Sequence, residues 1–370
     1  MLSVINFILI LSVLVMIHEF GHFIMAKRGG IGVEEFGFGL PPRIWGKKVG
    51  ETIYSVNWLP FGGFVRLVGE DPTDKNRDQK NSFYTKGLSR RITVVLAGVF
   101  MNFILAVLIF YVILFTLGFK VSLPLLIDHK FKFVNQTQQV LVSEVGSDSQ
   151  AGKAGIKAGD SIVRAQDEEI GSIDALQKVI RANQDKEISL VLENSINNQT
   201  RMVKVIPVYN DQLKAPAIGV SLGELVVLNY QTLPQKLFAG FGHSYNVMDY
   251  SLRVFGKIIG FSVAEKNLEP VKEGVSGPVG IASLTSQAVS LGPIAVLQLA
   301  GLLSLNLAFM NVLPIPALDG GRFFFLLIEA VTRKKVRPSV EKWTHTIGFA
   351  FLIGLIILIT YNDILKLFTQ

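Results

Sequence analysis

No cysteine occurs in the 370 residues of this chain. Disulfides are therefore excluded, and so is any thiolate metal ligand. Charge is also scarce: Asp, Glu, Lys and Arg make up 18% of the residues, against roughly a quarter in ordinary soluble domains. Histidine is limited to His18, His22, His129, His243 and His345. A metal site here must draw on these imidazoles and on carboxylates. No internal repeat or low-complexity run is evident.

Apolar residues fill the gap. They make up 49% of the chain, and the mean hydropathy is +0.42, too high for an ordinary soluble protein. Four stretches, about 2–25, 92–118, 290–313 and 346–366, approach the roughly 20 apolar residues needed to cross a bilayer. The first lacks a basic leader and a small-x-small cleavage pattern, which argues against a signal peptide. The net charge of +7 would suggest nucleic acid in a soluble protein. Here the basic residues cluster at span ends, where they set orientation, and no nucleic-acid partner is expected. Lys27 and Arg28, Arg90 and Arg91, and the run Arg333, Lys334, Lys335 and Arg337 fall on one side if four spans alternate. That side is expected to be cytoplasmic, with the segment between spans two and three outside.

The pattern divides the chain into four regions. Residues 1–118 hold the first two spans and, at 30–70, a membrane-associated β segment in which "TIYSVNW" alternates and a Pro-Phe-Gly-Gly turn follows. Residues 119–230 form an extracytoplasmic segment, strand-rich from about 135 to 210, with a helix over "SIDALQKVIRAN". Residues 231–289 read as amphipathic helices lying near the membrane surface. A span over 230–272 is disfavoured by Asp249, Arg253 and Lys257. Residues 290–370 carry the last two spans.

The first span contains His18-Glu19-Phe20-Gly21-His22. Residues i and i+4 share one helix face, so both imidazoles can reach one tetrahedral zinc ion, with Glu19 beside them as a general base. Ionisable groups inside a span are costly, about 2.5–3.5 kcal/mol for Asp, Lys or Arg, and are kept for use. A third ligand is needed at similar depth. His129 and His243 lie in the outer segment, and His345, at the edge of span four, is the weaker alternative. Asp319 in "NVLPIPALDGGR" follows span three on the correct side, with Arg322 as its only nearby cation. The plain alternative for Asp319 is that it caps the next helix.

These residues resemble the site-2 protease family of intramembrane zinc metalloproteases (M50 type), in particular the bacterial regulator-of-sigma-E protease type. "HEFGHFIMAK", "EEFGFGLPPRIW…TIYSVNWLPFGGFVRLVGED", "SGPVGIA" and "NVLPIPALDGGR" carry the resemblance. It implies zinc on His18, His22 and Asp319, Glu19 as base, and substrate or site-shaping roles for Asn311, Pro314 and Pro316. "SQAGKAGIKAGDSIVRAQDEEI" resembles the signature of a PDZ domain, implying that peptide ends bind there by strand addition. The implied fold is a polytopic α-helical membrane protein of about four transmembrane helices. It carries a membrane-associated β-hairpin or sheet and an inserted extracytoplasmic α+β PDZ domain. The implied function is cleavage of transmembrane helices of single-span proteins, such as anti-sigma factors or signal-peptide remnants, in a bacterial inner (plasma) membrane with the active site toward the cytoplasm. Three positions depart from the pattern: one PDZ domain stands where two are frequent, Val99 replaces a proline, and Arg322 replaces a common histidine.

An intact transmembrane helix hides its carbonyls, so the enzyme must supply partners for an unwound stretch. The edge of segment 51–69 is the expected donor, with Gly62 and Gly63 allowing close backbone approach. Competing readings are a metal transporter, in which His and Asp mark an ion path, and a silent scaffold displaying its PDZ domain, which has no use for Glu19.

Overall fold

The computed structural model describes residues 2–70, 74–194 and 199–369. From the N-terminus, α1 (Leu2–Arg28) leads into two long strands, β1 (Val33–Val49) and β2 (Thr52–Leu67), followed by α2 (Leu88–Thr116). Then come β3 (Lys120–Pro124), β4 (Asn135–Val145), α3 (Gln150–Lys153), β5 (Asp160–Ala165) and β6 (Glu168–Glu169). Next are α4 (Ile173–Ala182), β7 (Ile188–Asn194), β8 (Thr200–Val205), β9 (Val208–Asn210), β10 (Ala215–Ala217) and β11 (Val220–Asn229). The rest is helical: α5 (Leu233–Leu237), α6 (Ala239–Ala264), α7 (Glu269–Gly274), α8 (Pro278–Leu291), α9 (Pro293–Val312), α10 (Asp319–Thr332) and α11 (Pro338–Thr369). These elements form two compact units, one of residues 1–113 with 243–370 and the other of residues 114–242.

In the first unit, Ile5–Arg28, Leu88–Thr116, Pro293–Val312 and Pro338–Lys366 are long and apolar enough to cross a membrane. α6 is not among them; its Asp249 and Arg253 pair at 3.0 Å on adjacent turns. The helices approach closely where side chains are small. A Cβ at Gly21 of α1 would lie 2.4 Å from the Ala97 carbonyl oxygen of α2, and one at Gly301 of α9 would meet the Phe110 ring at 2.9 Å. The Ser304 hydroxyl of α9 also donates to the Asn102 carbonyl of α2 at 2.7 Å.

β1 and β2 form more than a hairpin. Gly37 pairs with Phe64 on one side and with Ser55 on the other, while Lys47 pairs with Tyr54. Both strands are bent, giving four segments in the order 43–49, 52–57, 33–38 and 63–67; the two outer pairings are antiparallel, while 52–57 and 33–38 run parallel, Phe36 facing Tyr54 and Gly37 facing Ser55. The last of these runs beside α1. Ser12 Oγ donates to the Pro60 carbonyl at 2.9 Å and accepts from Gly62 N–H at 3.2 Å. At the other end, Leu67 packs with Ala26, Ile31 and Val33. Fourteen helical residues rise about 21 Å and seven strand residues about 23 Å, so strand and helix stay in step.

The second unit is an antiparallel sheet in the order β3-β11-β4-β5-β7-β8, with β6 on β5. The alternation in β7 puts Ile188, Leu190 and Leu192 into one core with Val140, Val142, Ile162 and the Leu176–Val179–Ile180 face of α4. Ser172 caps α4 through the Ala175 N–H. The sheet is wider than the strand-rich stretch 135–210 suggests, because β3 and β11 join it. β11 escapes a period-two reading since Val226, Val227 and Leu228 are buried in succession.

The "SGPVGIA" stretch opens α8. Its N-cap, Gly277, has no side chain to bond the free N–H groups. Asp363 of α11 supplies the acceptor, its Oδ2 taking the Gly277 and Gly280 N–H groups at 2.9 and 2.8 Å. A Cβ at Gly277 would lie 3.0 Å from that oxygen. Asp363→Ala is expected to cost about 2 kcal/mol, as for loss of a buried cap. It should lower the thermal midpoint of the protein in detergent, with Asp363→Asn losing less because its amide oxygen still accepts.

Candidate metal centre

α1 is apolar around most of its circumference, and its polar exceptions gather on one face. His18 and His22, one turn apart, are each 7% exposed and lie edge to face. His22 Nδ1 is 2.8 Å from the Val94 carbonyl of α2. In a neutral ring that nitrogen donates, which leaves the Nε2 lone pair bare. His18 Nδ1 lies 3.4 Å from the amide of Asn102, a fully buried residue of α2.

Asp319 arrives from a distant part of the chain. α9 ends at Val312, and Pro314 and Pro316 keep the next residues out of a helix. α10 then starts hard against that turn: a Cβ at Gly320 would lie 1.9 Å from the Leu313 carbonyl oxygen, and one at Gly321 2.6 Å from that of Ile315. Leu318 occupies the N-cap position without a side-chain bond, so Asp319 is not the cap of its helix. Its carboxylate turns to the imidazoles instead. Oδ2 is 2.9 Å from His18 Nε2 and 3.2 Å from His22 Nε2, and the two Nε2 atoms are 3.1 Å apart.

Three ligand atoms 2.9–3.2 Å apart match the edge of a tetrahedron, about 3.3 Å for bonds near 2.0 Å to zinc. The rings are held there by absence as well as by contact: a Cβ at Gly98 would lie 2.5 Å from His22 Nε2 and 2.7 Å from His18 Nε2. The donor set fits a tetrahedral divalent ion with one position left over. Glu19 lies beside it, Oε2 accepting the Val65 N–H of β2 at 3.1 Å. A cleft beside the cluster is bounded by His18, Glu19, Asp319, Asn102, Leu307 and Asn311.

Of the residues singled out in the sequence, His18, Glu19, His22, Asp319 and Asn311 come together. Pro314 does not line the cleft; it shapes the entry to α10. Gly62 and Gly63 meet α1, where Cβ atoms would touch Val15 at 3.0 Å and Met16 Sδ at 2.3 Å. Their lack of side chains therefore serves strand–helix packing. His345 lies outside the cluster, its Nδ1 accepting the Ala317 N–H at 2.9 Å. Arg322 pairs with Glu70 and not with Asp319. The contributions of Gly98 and Val94 have no sequence signal, since a glycine and a backbone carbonyl act here only through their neighbours. Gly98→Ala is expected to push both rings out of place. Purified in detergent, it should hold less than a tenth of the parent's bound metal, by analogy with the 10–100-fold effects of residues supporting metal ligands.

A family model described as peptidase family M50 matches residues 6–355. A Clostridium perfringens protein provisionally named a zinc metalloprotease is 33% identical over 358 residues, covering 97% of each chain. The regulator of sigma-W protease RasP of Bacillus subtilis is 28% identical over 444 aligned positions, covering 99% of each. Among solved structures, the PDZ domain of the SdrC-like protein from Listeria monocytogenes is 16% identical, covering 26% of this chain and 93% of that one, with a TM-score of 0.21. With the match running from the first apolar helix into the last, this chain belongs to peptidase family M50 and is a zinc metalloprotease of the membrane.

Proposed function

We propose that the protein is an intramembrane protease of the site-2 type that cuts transmembrane helices of single-span proteins. The observation that carries the reading is the His18–His22–Asp319 cluster with Glu19, set on a helix long and apolar enough to span the bilayer. The name of the Bacillus relative favours anti-sigma factors as one substrate class, and signal-peptide remnants are chemically equivalent. The basic clusters at 27–28, 90–91 and 333–337 support a reading in which the active site faces the cytoplasm of a plasma membrane and residues 114–242 lie outside. There the β-rich unit acts as a PDZ domain that receives peptide ends.

His18, His22 and Asp319 hold the zinc. When bound, zinc supplies Lewis acidity toward the scissile carbonyl and the attacking water. Glu19 takes the proton from that water on a carboxylate oxygen and passes it to the leaving nitrogen. The substrate's unwound backbone needs new partners. Asn311, on the cleft wall, offers one. The outward edge of β2 offers others, because Val65 N–H points away from its own ladder toward Glu19. A substrate strand added there takes that N–H and frees the Glu19 carboxylate for water.

The test is cleavage of a single-span reporter with its outer domain trimmed. Glu19→Gln should cut about 10²–10⁴-fold more slowly than the parent while retaining zinc, and a zinc chelator should abolish cleavage by the parent. Equal product in every sample would assign the cut to another enzyme and remove the reading.

A further inference from the structure

α10 carries Asp319 at its first position, so the placement of this helix sets the placement of the third ligand. The helix has 14 residues, follows a non-helical turn at 313–318, and lacks a side-chain cap. Its first turn contains two glycines, so Asp319 and Arg322 are the only side chains there that can hold it by polar contact. Arg322 stands three residues after Asp319, on the same face of the helix. Its guanidinium donates to Glu70 Oε1, just beyond the end of β2. Glu70 in turn closes that end of the strand, its Oε2 accepting the Leu67 N–H at 3.4 Å. Two turns further along, Glu329 pairs with the buried Arg91 of α2, which fixes the far end of α10. β2 also gives its Val65 N–H to Glu19. One strand therefore registers both carboxylates of the centre, Glu19 by a backbone bond and Asp319 through Arg322.

We propose that the Arg322–Glu70 ion pair is a positioning clasp that sets the depth and rotation of α10, and so places Asp319 against His18 and His22. The proposal rests on Asp319 being the third zinc ligand. Arg322 touches none of the reacting atoms; it acts through Asp319. A guanidinium gripping a carboxylate is directional, and an error of about 1 Å in Asp319 Oδ2 would open contacts that now measure 2.9 and 3.2 Å.

The experiment measures zinc affinity of the full-length protein in detergent by competition with a chromogenic chelator. Arg322→Gln and Glu70→Gln should each bind zinc about tenfold more weakly. In an Asp319→Asn background, Arg322→Gln should cause no further loss, because the clasp acts only through that ligand. Parent-like affinity in both single variants would overturn the proposal, as would a full additional loss in the Asp319→Asn background. Asp319→Asn alone separates the two readings. If it keeps parent affinity, the ligand assignment fails; if it loses affinity while Arg322→Gln does not, only the clasp fails.

Discussion

Everything in the first unit answers to one constraint: two imidazole nitrogens and a carboxylate oxygen must be kept about 3 Å apart inside a set of apolar helices. Separating them would leave polar groups facing hydrocarbon, which costs several kcal/mol for each. The helices are therefore spaced by small residues where the site is. Gly21 and Ala97 bring α1 and α2 together, and Gly98 leaves room for the two rings. Any side chain at Gly98 would occupy the space in which the ligand atoms meet.

The third ligand shows how a helical protein delivers a group that the spans alone cannot. Asp319 sits at the start of α10, after a proline-rich turn. That turn is packed so tightly that Gly320, Gly321 and, from α11, Gly348 all abut its backbone. A helix N-terminus favours a negative charge, which suits a carboxylate ligand. It also leaves N–H groups without partners, a cost the structure meets at α8 by borrowing Asp363 from α11. The same economy of polar groups recurs on β2. Its outward N–H groups, which at an open sheet edge would face lipid, are taken up by Ser12 and Glu19 of α1. A strand beside a span is tolerable when its neighbour supplies acceptors at the right depth. Because strand and helix stay in step, the base is held in register with the sheet edge that faces it.

The four apolar spans, the pair of histidines with their glutamate, and Asp319 as the favoured third group are legible in the sequence. These are legible because they follow local rules: an apolar run long enough to cross a bilayer, an i,i+4 spacing on one helix face, a carboxylate in an apolar context. The helix at 173–182 and the strands flanking it are legible for the same reason, since amphipathic periods of 3.6 and 2 are local. Other features follow from contacts between distant parts of the chain. β11 joins the sheet only because β3 and β4 bury it on both edges. β1 and β2 fold into four segments only because each bends against the other. Gly62 and Gly63 look like places of approach in the sequence, and the thing that approaches them is α1. Arg322 looks like a partner for Asp319 and turns to Glu70, 252 residues away in the chain. Local pattern shows which residues need a partner; which partner each one finds depends on long-range packing.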